Sequence, residues 1–355
     1  MLAESAGDPP GMSRKERPVA NNASRTVWMS AMVVASLVLA HTPASAQAPA
    51  PRTAWGDPDL QGVWDYWTFT PLERPDEFAG RDQLTAEEAA VVAQRSNAEA
   101  LARDAPPPAG DVGGYSQAVW TDRARATALR QPSLLVDPPT GKLPAMTAAA
   151  QARAKAEATA GGHPVRLRVG GINEDGPESR GAAERCLLGF STGPPMLPAG
   201  YNNNVQLFQS PGWVVLLNEM VHDVRVIPLD GRDALPPTLD QWLGSSRAHW
   251  DGETLVIETT NFTDGTGSFN TSFVSWGSAE HLTLTERFTR VDDGTLLYEF
   301  TVNDPDTWTQ AFSGQFPMLR SDDPLYEYAC HEGNYGMQNM LSGARATERA
   351  ETNQP

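Results

Sequence analysis

Cysteine is scarce: Cys186 and Cys330 are the only two in 355 residues. No CxxC pair and no HxxxH spacing accompanies them, so the usual thiolate and imidazole metal patterns are missing. No G-x-S-x-G elbow, Walker A, Rossmann glycine fingerprint or HExxH is expected, so serine-hydrolase, nucleotide-binding and thermolysin-like zinc readings lack support. No metal and no cofactor is expected. The apolar run Val27–Ala40 is shorter than the roughly 20 residues a spanning helix needs.

That run instead follows a basic stretch of Arg14, Lys15, Arg17 and Arg25 and precedes Ala44-Ser45-Ala46. A charged region, a short apolar region and small residues at the cleavage positions describe a signal peptide. The reading is residues 1–46 as signal peptide and upstream extension, with Met12 as the more ordinary start, followed by export to the periplasm or beyond. Removing those residues takes away four basic and three acidic side chains, leaving 23 basic against 41 acidic. This balance argues against nucleic acid and anionic membrane surfaces as partners. No membrane insertion is expected after cleavage. In an oxidising compartment the cysteine pair predicts a Cys186–Cys330 disulfide.

The mature chain reads as a linker over 47–56, a single domain over 57–345 and a disordered tail over 346–355. Gly62-Val63-Trp64 opens a first strand. A helical insertion at about 82–185 follows: Thr85-Ala86-Glu87-Glu88 is a capping box starting a helix to Ala102, and a second alanine-rich helix runs from Thr147 to Ala160. Leu134 to Pro144 resembles a small hairpin. From Asn204 the pattern is all β, with candidate strands at 204–210, 212–219, 221–228, 246–250, 253–261, 280–291, 295–303, 308–318 and 325–331. Asp251-Gly252 and Asp293-Gly294 mark tight turns. Short loops between adjoining strands predict an antiparallel meander. The expected fold is mainly β; Gly62-Val63-Trp64 resembles the Gly-x-Trp that starts the first strand of lipocalin-like barrels, which implies closure into a calycin-type barrel, with a β-sandwich as the alternative.

Ionisable residues interrupt otherwise apolar strands, and such groups are costly to bury unless they are paired or used. In 280–291 alternation places Glu286 with Leu282, Leu284 and Phe288 on the inward face. It is either a general acid in a desolvated lumen or a structural carboxylate paired with Arg225 or Arg287. His222 shares a face with Val224 and Val226 and is expected to point inward, either as a core residue or as a general base oriented by Glu219. Cys330-His331-Glu332 ends the last candidate strand, where a disulfide would hold His331 and Glu332 either at a substrate or in a structural latch. Tyr201-Asn202-Asn203-Asn204 offers amides for hydroxyl binding or for turn capping. The expected catalytic set is His222, Glu219 and Glu286, with Tyr201, Asn203, Arg225, His331 and Glu332 binding substrate. Aromatic stripes such as Trp308, Phe312 and Phe316 suggest a small hydrophobic, aromatic or glycosidic ligand. The function expected is cofactor-independent acid–base chemistry as a lyase, isomerase or hydrolase. The alternative is a periplasmic lipocalin-like protein binding a hydrophobic small molecule.

The segments Pro58–Trp64, Asn218–Asp223, His249–Phe262 and Tyr326–Tyr335 in combination resemble a large group of exported bacterial proteins. The likeness runs from about residue 55 to about residue 345. It implies export and a shared pocket; no reaction is carried over with it.

Overall fold

Alternating burial along the strands organises this molecule. The computed structural model describes residues 51–103, 129–160, 176–193, 195–271 and 274–352, so the expected signal peptide lies outside them. The described residues all fall within one compact unit, 49–355. The elements are β1 (Gly62–Asp65), α1 (Ala86–Arg103), β2 (Leu135–Asp137), α2 (Ala148–Ala160), β3 (Asn204–Ser210), β4 (Trp213–Asn218), β5 (Val224–Pro228) and β6 (Ser245–Asp251). They continue with β7 (Thr254–Thr260), β8 (Phe269–Asn270), β9 (Ser275–Trp276), β10 (Thr283–Arg290), β11 (Thr295–Asn303), β12 (Phe312–Ser321) and α3 (Tyr335–Thr352).

One sheet holds most of the strands, in the order β5-β4-β3-β1-β12-β11-β10-β7-β6, with β2 beside β12. Every pairing along this path is antiparallel. Nine strands alternate in direction, so the two end strands, β5 and β6, run the same way. A ladder between them would have to be parallel, and parallel neighbours need a crossover of roughly a dozen residues or more. The 229–244 segment supplies that length, yet no ladder joins β5 to β6. Among the described residues the strands thus form a large antiparallel sheet, and no closed barrel is detected.

The inward face is filled. Trp64, Phe288, Tyr298, Phe300, Phe312 and Phe316 are all fully buried. Their rings interlock at centroid distances of 5.0 Å for Phe288–Tyr298, 5.2 Å for Tyr298–Phe316 and 6.0 Å for Tyr298–Phe300. Edge and tilted packings of this kind add to the area term of ring burial. At Gly314 a Cβ would stand 2.3 Å from the Phe300 ring and 3.0 Å from the Leu134 carbonyl, so only glycine lets β2 and Phe300 close on β12. The aromatic stripes are thus packed core and do not form an open cup.

Several expectations on individual elements are corrected. β2 pairs with β12 and has no hairpin partner. The 325–331 segment forms no strand, because β12 already has β11 along one side and β1 and β2 along the other. A helix, α3, occupies 335–352 and runs through most of the stretch expected as a disordered tail. The capping box is present at α1: Glu88 N–H donates to Thr85 Oγ1 at 3.2 Å, and Thr85 N–H to Glu88 Oε2 at 2.8 Å.

Candidate functional site

The strands bring ionisable groups inward at one place and outward at another. In the first, Arg225 of β5 reaches across to Glu286 of β10. Its Nη1 donates to Glu286 Oε1 at 3.1 Å and its Nη2 donates to Oε2 in a second, shorter bond. Nη2 also points to Ser246 Oγ at 3.3 Å and Thr259 Oγ1 at 3.4 Å. The Tyr298 hydroxyl donates to Glu286 Oε1 at 2.9 Å and accepts the Met196 N–H at 3.1 Å. Burial pulls the Arg225 pKa down, but the Glu286 charge and hydrogen bonds more than offset this and hold it above its usual value. Burial, followed by the neighbouring Glu286 charge, raises Tyr298 well above the usual phenol range. Glu286 is 0% exposed, with both oxygens engaged by a guanidinium. Of the two readings open for Glu286, the paired carboxylate is the one observed, and the partner is Arg225.

Burial also pushes Tyr66 upward. In the unfolded chain tyrosines ionise near pH ~10, whereas Tyr66 and Tyr298 stay protonated in the fold. Above that pH the unfolded state binds fewer protons than the native state, so stability falls as pH rises. Urea midpoints measured from pH 8 to 11 should drop beyond pH ~10, and Tyr66→Phe with Tyr298→Phe should flatten the drop. An unchanged slope in the double variant would contradict this account.

The outward group lies where the sheet's chain ends meet. Asp65 closes β1 and its Oδ1 accepts the Trp67 N–H at 2.8 Å, turning the chain out of the sheet. Asn202, in the left-handed region at φ 54°, bends the approach to β3. The buried Asn203 ties that bend: its Oδ1 accepts the Ala199 N–H at 2.7 Å and its Nδ2 donates to the Ala199 carbonyl at 3.0 Å. Asn203 is thus a turn-capping residue. Asn204 then fixes Glu219, through Asn204 Nδ2 to Glu219 Oε2 at 2.8 Å and Glu219 N–H to the Asn204 carbonyl at 2.9 Å. The β4–β5 connection that carries Glu219 places Val221 at φ 58° and His222 at φ 47°. A β-branched residue there is strained by about 1–3 kcal/mol. The carboxylate of Asp223 offsets part of this by accepting from Gly189 N–H at 2.8 Å and Thr192 Oγ1 at 2.6 Å.

Facing these residues is the segment that follows β12. The Cys186–Cys330 disulfide is formed, with Cα atoms 5.8 Å apart, as the cysteine count predicts. Asn334 Nδ2 donates to the Glu184 carbonyl at 2.9 Å, and Tyr328 packs against the buried cluster of Cys186, Met220 and Val221. Between the two walls is a cleft of ≈ 1040 Å³, lined among others by Asp65, Trp67, Tyr201, Glu219, Tyr326 and Glu327. Its volume is at the upper end of small-molecule sites.

The candidate residues therefore divide. Glu219, Tyr201 and Asn203 line the cleft, Arg225 and Glu286 pair inside the sheet, and His222, His331 and Glu332 are exposed on turns outside its described lining. The expected inward imidazole is corrected: His222 shares its side of the chain with Val224 and Val226, but that side is the outer one, with Val226 60% exposed. β5 is an edge strand whose inward positions, Arg225 and Ile227, are set by the Glu286 contact and the core. Asp65, Trp67, Tyr326 and Tyr328 were missed as site residues. The signal was present in Asp65-Tyr66-Trp67 and Tyr326-Glu327-Tyr328, where aromatic and acidic residues adjoin. Gly189-Phe190-Ser191-Thr192-Gly193 matches the G-x-S-x-G spacing, which corrects the expectation that no such motif is present. Ser191 is 1% exposed, its Oγ contacts Met220 Sδ at 3.4 Å, and no strand-to-helix turn surrounds it, so the context of a nucleophile elbow is missing.

Among the described residues no cluster of three or more His, Cys, Asp or Glu side chains could hold a metal ion, and no helix is long and apolar enough to cross a membrane. Comparison with protein-family models, with curated proteins and with solved structures finds no match for this chain.

Proposed function

We propose that this chain is an exported protein that binds a small molecule in the cleft between the β1 and β3 ends and the disulfide-held segment after β12. The observation that carries this reading is the cleft itself, where aromatic rings and hydrogen-bonding groups converge on ≈ 1040 Å³ of space. Export is supported by the signal-like residues 1–46 and by the formed disulfide. The likeness to exported bacterial proteins points the same way.

A binding role is favoured over cofactor-independent acid–base catalysis because the required groups do not meet. Glu286 is held by Arg225, while His222 and His331 are exposed and outside the described lining of the cleft. The lipocalin-like reading is kept in modified form. The meander curls around its aromatic core, Arg225 bridges the unladdered edges, and the ligand sits at one end.

Native mass spectrometry of protein taken from its own periplasm tests this reading. A bound small-molecule mass is expected, released by denaturation and depleted in Tyr326→Ala, whose side chain is 71% exposed and carries little of the core. Protein that arrives without any bound mass, or a bound mass indifferent to that substitution, would remove the cleft from consideration.

A further inference from the structure

Among the described residues Glu219 and Glu286 are the buried glutamates, and Glu184 is partly buried. Glu286 has Arg225, and Glu184 has Arg180 at 2.6 Å. Glu219 is the exception. It is only 7% exposed, its side-chain partner is the neutral amide of Asn204, and no cationic nitrogen reaches it among the described residues. A carboxylate withdrawn from water with one neutral donor is short of compensation, since burial removes hydration that only a counter-charge or several donors restore.

The cleft in front of Glu219 has the chemistry to admit that counter-charge. Its described lining includes no lysine, arginine or histidine, and Glu327 adds a carboxylate from the opposite wall. Trp67, Tyr201, Tyr326 and Tyr328 contribute aromatic rings, whose faces attract cations. Among the described residues, an anion entering this space would meet only like charge. A neutral apolar ligand would strip water from Glu219 and return nothing. The net charge of −17 draws cations toward the molecule in any case.

We infer that the ligand is an organic cation, an ammonium or amidinium group on an aromatic or short apolar body, with Glu219 receiving the charged head and the aromatic walls the body. This inference rests on the binding reading above and narrows it to one ligand class.

Benzylammonium, benzyl alcohol and benzoate share a ring and differ in the head group, so calorimetric titration of the mature protein with all three isolates the charge. Benzylammonium should bind about tenfold more tightly than the alcohol, the worth of one charge-assisted contact, with benzoate weakest. Glu219→Gln keeps an acceptor for Asn204, so the fold should persist, while the preference for the cation over the alcohol disappears. Glu327→Gln, on an exposed residue, should reduce that preference in part. Equal binding of ammonium and alcohol, or an undiminished preference in Glu219→Gln, overturns the cation assignment. So does failure of all three to bind. The broader binding reading is decided separately, by the bound mass in native protein.

Discussion

Glu286→Gln is expected to destabilise the fold by about 3–5 kcal/mol, the usual cost of leaving one member of a buried ion pair without its partner. Arg225 would keep its charge, because neither Ser246 nor Thr259 can replace a carboxylate, and its Nε already has no acceptor among the described residues. The effect should be specific to the partner. Arg225→Met with Glu286→Leu removes both charges at once, and apolar replacement of a buried pair is often neutral or stabilising. The double variant should therefore recover most of what the single variant loses, read from urea denaturation midpoints. Tyr298 would lose its acceptor only in the double variant, where leucine offers none, which sets a residual cost of about 1 kcal/mol there. The consequence is also local. Arg225 is the side chain on β5 that reaches β6 and β7, so amide exchange in β5 and β6 should accelerate more than in β11. A double variant as unstable as the single one, or exchange that rises uniformly, would show that the pair does not staple the two edges.

Removing the disulfide has the second large effect. Cys186 and Cys330 are 144 residues apart, and their bond closes a loop that spans almost the whole sheet. In the chain-entropy estimate a loop of that order is worth nearly 5 kcal/mol, with measured values commonly about 2–4 kcal/mol. Cys186→Ala with Cys330→Ala should lower stability within that range. The loss falls on one wall of the cleft in particular, because the 322–334 segment forms no strand and depends on the bond, on Asn334 and on Tyr328 packing for its position. Ligand retention should drop in the cysteine-free protein even at temperatures where the sheet stays folded, as seen by far-ultraviolet circular dichroism alongside native mass spectrometry. Full retention of ligand without the disulfide would show that the wall holds its place by packing alone.

Much of the sheet was legible before any coordinates. Strands β3, β4, β7, β10 and β11 lie within two or three residues of their expected limits because alternation with period two identifies the buried face directly. The inward placement of Glu286 follows from the same rule. What alternation cannot supply is phase for a short strand at an edge. β5 reads equally well with its valines or its arginine inside, and the structure turns Val224 and Val226 outward. The 325–331 segment misleads for the converse reason: its tyrosines have strand propensity, but β12 has no free side left to pair with. Propensity for β structure is largely a statement about neighbours, and neighbours are not local in sequence.

The sequence by itself determined the antiparallel class of the sheet, the two helices of the insertion, the cysteine pair and the acidic character of the surface. Each of these depends on period, composition or count, which are properties of a segment or of the whole chain. Tertiary structure alone decided that Arg225 takes Glu286, that β5 and β6 remain unladdered, and that the open space lies at the strand ends while aromatic rings fill the inward face. Those outcomes depend on which side chains from distant strands compete for one volume, and nine alternating strands leave end strands that run the same way, which no single segment reveals.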